Sequence, residues 1–184
     1  RWGGLQAQDV RKALRPQTVL VSIMYANNEI GTVYPIADIG REILKWRQAH
    51  RTAYNFTTLQ PPYFHTDACQ AAAYLDLNVE KLHVDLMSLN GSKIYGPKGI
   101  GVLYKRRGVE IEPLMYGGGQ EFGLRSGTEN VAGIVGLATA LELAQKLRNE
   151  EIKKLREWRD YFWEKLEENV KGVTLNGPQI KSEI

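Results

Sequence analysis

The stretch Asn90-Gly91-Ser92-Lys93-Ile94-Tyr95-Gly96-Pro97-Lys98-Gly99 carries the most information in this chain. It places Lys93 in a bend between two apolar, strand-like runs, with glycines on both sides. Such a bend can hold an amine at a fixed point and desolvate it, as imine formation with an aldehyde requires. Lysine is nevertheless common on protein surfaces, and the chain has 24 Lys and Arg, so a solvated side chain is the alternative. A chemical role for Lys93 therefore depends on its neighbours in the fold.

A carboxylate and an amide lie about one strand-helix unit earlier, in Phe64-His65-Thr66-Asp67-Ala68-Cys69-Gln70. The pattern predicts a short buried strand and then a helix start, with Asp67 at the strand end where open α/β sheets bind ligands. Pyridoxal phosphate needs a lysine for its aldehyde, an acid for its pyridinium nitrogen and an anion site for its phosphate. Asp67 could supply the acid, and Gln70 a donor to the ring hydroxyl. The alternative is a helix cap beside an ordinary surface amide.

Paired asparagines close a neighbouring apolar run. Asn27 and Asn28 follow the β-branched stretch Thr18–Met24, which predicts a strand, and before Gly31 they are typical of a turn. Because this turn ends a strand at the level of Asp67, an amide there could also reach a cofactor or a substrate carboxylate.

A fourth polar segment precedes a clear helical pattern. Ser126 and Glu129 have the spacing of a capping box. The spacing predicts a helix that starts near Gly127, with Thr128 in its first turn, where free backbone amides favour a phosphate. Plain capping is the alternative, and both can hold together.

Together these four segments closely resemble the cysteine desulfurases of the NifS/IscS type, in the class V aminotransferase superfamily. The resemblance extends from about Val19 to Asn176. It implies an α/β fold of the fold-type I transferase class, a large domain with a mostly parallel sheet flanked by helices, and pyridoxal 5'-phosphate as cofactor. The site residues that it implies are Lys93, Asp67, Gln70, Asn28, Ser92 and Thr128.

The resemblance also implies a role for each residue. Lys93 is the catalytic, imine-forming lysine, while Asp67 and Gln70 hold the pyridine nitrogen and the ring hydroxyl. Asn28 contacts cofactor or substrate. Thr128 reaches the phosphate of the neighbouring subunit's cofactor. Ser92 stands where the family often has histidine, and its hydroxyl can still donate to a phosphate oxygen.

The activity implied is conversion of L-cysteine to L-alanine and an enzyme-bound persulfide, for iron-sulfur cluster assembly or tRNA thiolation. The implied enzyme is a cytoplasmic homodimer that passes sulfur to an acceptor such as an iron-sulfur scaffold protein. Alternatives are a selenocysteine lyase, another class V aminotransferase or lyase, and a non-catalytic scaffold that keeps the fold.

The chain is expected to be an interior fragment. Residues 1–148 would be part of the large domain without its N-terminal portion, and residues 149–184 the beginning of a small C-terminal domain. In the family, the nucleophilic cysteine and the substrate-binding arginine come later than Ile184. The single cysteine, Cys69, is then expected to be a small buried hydrophobe. Residues Arg51–Phe64 form a longer stretch than the family pattern has, which predicts a surface loop at an interface.

Periodicity predicts alternating strands and helices, hence a largely parallel sheet. The predicted strands cover Thr18–Tyr25, Tyr63–Thr66, His83–Ser88 and Gly99–Lys105. The predicted helices cover Arg1–Pro16, Ile36–His50, a segment from near Gly127, and Glu151–Asn169.

Bulk composition favours one ordinary globular core, with 43% hydrophobic residues in 184. A net charge of +3 gives no argument for nucleic acid binding, and no apolar run approaches the length of a membrane span. One cysteine excludes an intrachain disulfide framework. The three histidines, His50, His65 and His83, are too scattered to predict a metal site. Gly91–Gly96 has the glycine spacing of a P-loop, but Pro97 stands where that motif needs lysine.

Overall fold

The computed structural model describes residues 3–50 and 59–178. This part of the chain contains one four-stranded sheet in the order β1-β2-β3-β4. The strands β1, β2 and β3 are parallel, and β4 is antiparallel to β3. The prediction of a mostly parallel α/β sheet is therefore confirmed. The strands are β1 Leu20–Met24, β2 Tyr63–Asp67, β3 Leu86–Asn90 and β4 Gly101–Lys105, and the helices are α1 Ala7–Ala13, α2 Ile36–Ala49, α3 Val79–Leu82 and α4 Val131–Asn169.

The antiparallel pairing of β4 follows from its short connection. Ten residues, 91–100, join β3 to β4. A parallel partner would need a crossover of a dozen or more residues, so the chain instead turns back on itself. Lys93 lies in this connection, within a 3₁₀ turn at Gly91–Lys93.

Helix α2 covers one face of the sheet. Its buried side chains Ile36, Ile39 and Ile43 recur with helical spacing, as the sequence pattern predicted. Phe64 on β2 is fully buried in the same core. Gly40 allows α2 to approach α3 closely, because a Cβ atom there would lie 2.5 Å from the carbonyl oxygen of Leu82.

A buried ion pair joins α2 to the start of β3. Asp85 is 2% exposed and pairs with Arg47, whose Nε also donates to the carbonyl oxygen of Pro62 at 3.0 Å. The carboxylate of Asp85 further accepts the backbone N–H of Phe64 at 2.8 Å. These bonds tie α2, β2 and the segment before β3 together. They also satisfy a charge that would be costly to bury alone.

Replacing Arg47 by methionine should destabilise the protein strongly. The substitution keeps the side-chain volume but leaves the Asp85 carboxylate buried without its main partner, at a cost of about 3–5 kcal/mol. Urea unfolding measures the change in free energy. The control is Arg41→Met on the same helix, which removes an exposed pair with Asp38 and should cost less than about 1 kcal/mol. Equal and small changes in both variants would contradict this account of Asp85.

Several predicted boundaries differ from those in the structure. His83 ends α3 in the left-handed conformation, with φ of 56°, so β3 begins at Leu86 and not at His83. The predicted helices from near Gly127 and from Glu151 to Asn169 are one 39-residue helix, α4. The residues between the two predicted segments are mostly good helix formers, and no proline or glycine interrupts them. The proposed domain boundary between residues 148 and 149 falls inside this helix and stays a prediction.

The start of α4 also differs from the prediction. The helix begins at Val131, and its cap is Asn130, whose side chain accepts the backbone N–H of Gly133 at 3.0 Å. Ser126 and Glu129 therefore do not form the capping box of this helix. The Ser126 hydroxyl instead donates to the carbonyl oxygen of Tyr116 at 3.2 Å. Of the predicted 51–64 loop, residues 51–58 lie outside the described residues, and Tyr63 already belongs to β2.

Candidate active site

The carboxyl ends of β1, β2 and β3 lie at one edge of the sheet because the three strands are parallel. Met24, Asp67 and Ser88 are register partners across them. Asn28 follows β1, Asp67 ends β2, and Lys93 follows β3. Three of the four predicted segments therefore meet at the edge where α/β sheets bind ligands.

The lysine loop, residues 90–100, is closed tightly by its own backbone. Gly96 donates its N–H to the carbonyl oxygen of Gly91 at 2.9 Å, and Gly91 donates to that of Ile100 at 3.0 Å. A Cβ atom on Gly91 would lie 2.8 Å from the carbonyl oxygen of Pro97, so a larger residue would open the loop. Ile94 is buried beneath the loop, while Lys93 is exposed. The expectation that the Lys93 amine is desolvated is therefore not met within the described chain. The loop that carries the amine is nevertheless closed by backbone hydrogen bonds.

The acid turn, residues 67–75, follows β2. The Asp67 carboxylate accepts the backbone N–H of Cys69 at 2.9 Å, and Ala68 donates to the carbonyl oxygen of Ser88 at 3.0 Å. Asp67 therefore caps this turn, as the alternative interpretation expected. Its side chain remains exposed at the sheet edge, and capping engages only one of its oxygens in this bond. Gln70 is partly buried in the same turn.

Cys69 lies within electrostatic reach of both Asp67 and Lys93. Burial, a hydrogen bond to the Asp67 carboxylate and the negative charge of that carboxylate raise the pKa of the Cys69 thiol to about 12, while the Lys93 ammonium acts in the opposite direction. The Lys93 ammonium and the Asp67 carboxylate therefore both influence the pKa of the Cys69 thiol. A thiol with so high a pKa is protonated at neutral pH and a poor nucleophile. The side chain is only partly buried, and not fully buried as predicted.

The two asparagines after β1 have different environments. The Asn27 side chain accepts the backbone N–H groups of Glu29 and Ile30, at 2.9 and 3.0 Å, and so stabilises the turn. Asn28 is exposed. Of the pair, Asn28 is the residue left available to a ligand.

Ser92 and Thr128 are the two remaining candidates. Ser92 is exposed beside Lys93, and its hydroxyl donates to the Asn90 side chain at 2.8 Å. Thr128 is exposed in the loop between β4 and α4, three residues before the helix begins, so its predicted place in the first helical turn is wrong. Within residues 3–50 and 59–178 we find no hydrogen bond joining Thr128 to the other candidates.

Sequence reasoning missed a polar network on the sheet face below Asp67. The His65 ring lies between two hydroxyls, with Nδ1 2.8 Å from Ser22 Oγ and Nε2 2.8 Å from Ser88 Oγ. Burial lowers the pKa of His65, and the Asp67 charge partly opposes this effect. The alternation of His65 with Asp67 placed both on one strand face, but the serines lie on other strands and gave no local signal.

Comparison with known proteins identifies the family. A model of the class-V aminotransferases matches residues 1–184. The chain belongs to the aminotransferase class-V family. Among family relatives, cysteine desulfurase IscS of Dictyoglomus turgidum is 47% identical over 179 residues, which are 97% of this chain and 42% of that protein. The chain therefore spans less than half the length of the curated relatives it matches.

Solved structures of class-V relatives share the fold. A NifS-like protein is 40% identical with a TM-score of 0.77, over 89% of this chain and 42% of that one. SspA in complex with cysteine is 45% identical with a TM-score of 0.67, over 77% of this chain and 37% of that one.

Other types of site receive no support in the described part of this class-V chain. We find there no group of three or more His, Cys, Asp or Glu side chains arranged to hold a metal ion. None of the helices described has the length and apolarity needed to cross a membrane.

Proposed function

We propose that the whole protein is a pyridoxal phosphate-dependent cysteine desulfurase, which converts L-cysteine to L-alanine and an enzyme-bound persulfide. The observation that supports this most directly is that Asp67 ends β2 and Lys93 follows its parallel neighbour β3, at the same carboxyl edge of the sheet. Relatives named cysteine desulfurase, at 47% identity, support the same reaction.

The residues present fit pyridoxal phosphate. The exposed Lys93 amine can bind the aldehyde, and the exposed Asp67 carboxylate can hold a proton on the ring nitrogen. When bound, the cofactor supplies an electron-accepting ring. Gln70 would donate to the ring hydroxyl and Ser92 to the phosphate, and Asn28 would contact the substrate.

Lys93 has a second role in this proposal. The Lys93 amine would accept and return a proton at the substrate α-carbon. The exposed position of Lys93 on a closed loop suits this role, because the side chain can move while its backbone stays fixed.

The thiol that accepts sulfur is proposed to lie outside these 184 residues. Cys69 is the single cysteine here, and its pKa of about 12 keeps it protonated at neutral pH. Sulfur would pass from the accepting thiol to an acceptor such as an iron-sulfur scaffold, for cluster assembly or tRNA thiolation, in the cytoplasm. Residues 149–184 would begin the small domain.

A homodimer is part of the proposal, with Thr128 serving the neighbouring subunit's cofactor. The loop that carries Thr128 also exposes large apolar side chains, with Tyr116 80% and Phe122 99% accessible. Such a loop suits burial against a second copy of the chain.

The test is an assay of the full-length protein with pyridoxal phosphate and L-cysteine. We expect stoichiometric L-alanine, measured by chromatography, and sulfide when a thiol reductant is added. Alanine formed from L-selenocysteine but not from L-cysteine would favour the selenocysteine lyase. A protein that folds but neither binds the cofactor nor forms alanine would favour the non-catalytic scaffold.

A further inference from the structure

Helix α4 contacts both segments that carry the proposed chemistry. Near its N-terminal end it packs on the lysine loop, and about two turns later it binds the acid turn. The two segments belong to different strand connections, so α4 is a part of the fold that can fix one relative to the other.

The contact with the lysine loop depends on small residues. A Cβ atom on Gly96 would lie 3.1 Å from the Ala140 Cβ, and one on Gly136 would lie 2.6 Å from Pro97 Cγ. Side chains larger than these would push the helix and the loop apart. The lysine loop therefore rests directly on the α4 backbone between Gly136 and Ala140.

The contact with the acid turn depends on one side chain, Gln145. Its amide nitrogen donates to the carbonyl oxygens of Ala72, at 2.7 Å, and Leu75, at 3.0 Å. Its amide oxygen accepts from Arg148 Nη1 at 3.1 Å. Only one orientation of the amide satisfies all three bonds, because two partners are acceptors and one is a donor.

The bond to Ala72 and Leu75 closes the end of the acid turn opposite Asp67. The N-terminal end of the acid turn is held by the Asp67 carboxylate and by the hydrogen bond from the Ala68 N–H to the carbonyl oxygen of Ser88. Gln145 secures the last carbonyls, which a single helical turn would otherwise leave unpaired. With both ends held, the position of Asp67 is fixed against the sheet and against α4.

We propose that Gln145 is a positioning residue, which fixes the acid turn to the helix that also supports the lysine loop and thereby sets where Asp67 stands relative to Lys93. This inference rests on the proposed function, because it concerns the cofactor that those two residues would share. Gln145 touches neither cofactor nor substrate and acts through the backbone of the turn.

A contact between the two segments themselves agrees with this arrangement. Tyr74, in the acid turn, lies close enough to Tyr95, in the lysine loop, for the Tyr95 hydroxyl to be the main cause of the raised pKa of Tyr74. Tyr95 adopts φ of 61°, a left-handed conformation that costs energy in a residue with a Cβ atom. Because Gln145 holds the acid turn in place, it also helps to hold this strained part of the lysine loop.

The experiment compares Gln145→Met with the unchanged full-length protein. Methionine keeps the length of the side chain and favours a helix, but it cannot donate to the two carbonyl oxygens. We expect the dissociation constant for pyridoxal phosphate to rise roughly tenfold and kcat to fall by a similar factor, while KM for L-cysteine changes less than about twofold. Cofactor binding is measured by its visible absorption, independently of turnover. Gln145→Glu, which keeps the Arg148 contact but presents oxygens to carbonyl oxygens, should show the same pattern.

Two controls separate positioning from general stability. Lys146→Met changes the next, exposed residue and should leave cofactor affinity unaltered. Ile43→Val removes one buried methylene on α2 and lowers thermal stability without changing any residue of either segment, so it should also bind the cofactor normally. Normal affinity in both Gln145 variants, or an equal loss in Ile43→Val, would overturn the positioning role. Failure of the unchanged protein to bind pyridoxal phosphate would instead refute the proposed function.

Discussion

Lys93→Ala in the full-length protein should lower turnover of L-cysteine by roughly a thousandfold or more. The side chain of Lys93 is exposed, so its loss should remove chemistry and leave the fold intact. The lysine loop itself is closed by backbone bonds between Gly91, Gly96 and Ile100, which alanine does not disturb. Sodium borohydride followed by mass spectrometry of the peptides measures covalent attachment of the cofactor. We expect a cofactor adduct on Lys93 in the unchanged protein and none in the variant.

The matched control is Lys98→Ala, five residues later in the same loop and also exposed. It removes the same charge and a side chain of the same length, so it should keep the adduct on Lys93. An adduct on another lysine, or undiminished turnover by Lys93→Ala, would show that this amine is not the one that binds the cofactor.

Much of this edge of the sheet was predictable from local sequence. The strand ends at Met24 and Asp67, and the bend after Asn90, follow from apolar runs that stop at polar or glycine-rich segments. Parallel pairing then brings those ends together without any further information. The buried face of α2, with Ile36, Ile39 and Ile43, follows from helical spacing alone.

The features that sequence reasoning missed depend on contacts between distant residues. The bonds of Gln145 reach back 73 and 70 residues, to Ala72 and Leu75, so no local pattern marks them. The same holds for His65, whose partners belong to β1 and β3. The capping error at α4 has a different cause: Ser126 and Asn130 are both good N-cap residues, and the loop contact of Ser126 with Tyr116 decides between them.

Asp67→Asn should weaken pyridoxal phosphate binding at least tenfold and lower turnover by roughly a hundredfold or more. The substitution separates charge from structure. Asparagine keeps an oxygen that can accept the backbone N–H of Cys69, so the acid turn should stay capped. A neutral amide cannot hold a proton on the ring nitrogen by charge, so the ring loses its ability to withdraw electrons from the substrate.

Absorption spectra across pH and steady-state kinetics of the full-length protein measure the two effects of Asp67→Asn. Asp160→Asn makes the same chemical change on an exposed part of α4, where the carboxylate pairs with Arg159, and should behave as the unchanged protein does. Unchanged kinetics in Asp67→Asn would show that another acid serves the ring nitrogen. Unfolding of the variant would show that the charge itself holds the turn. A folded Asp67→Asn protein with weakened affinity for pyridoxal phosphate and slow turnover would assign Asp67 its role. The variant would then keep the hydrogen bond that caps the turn and lack only the negative charge.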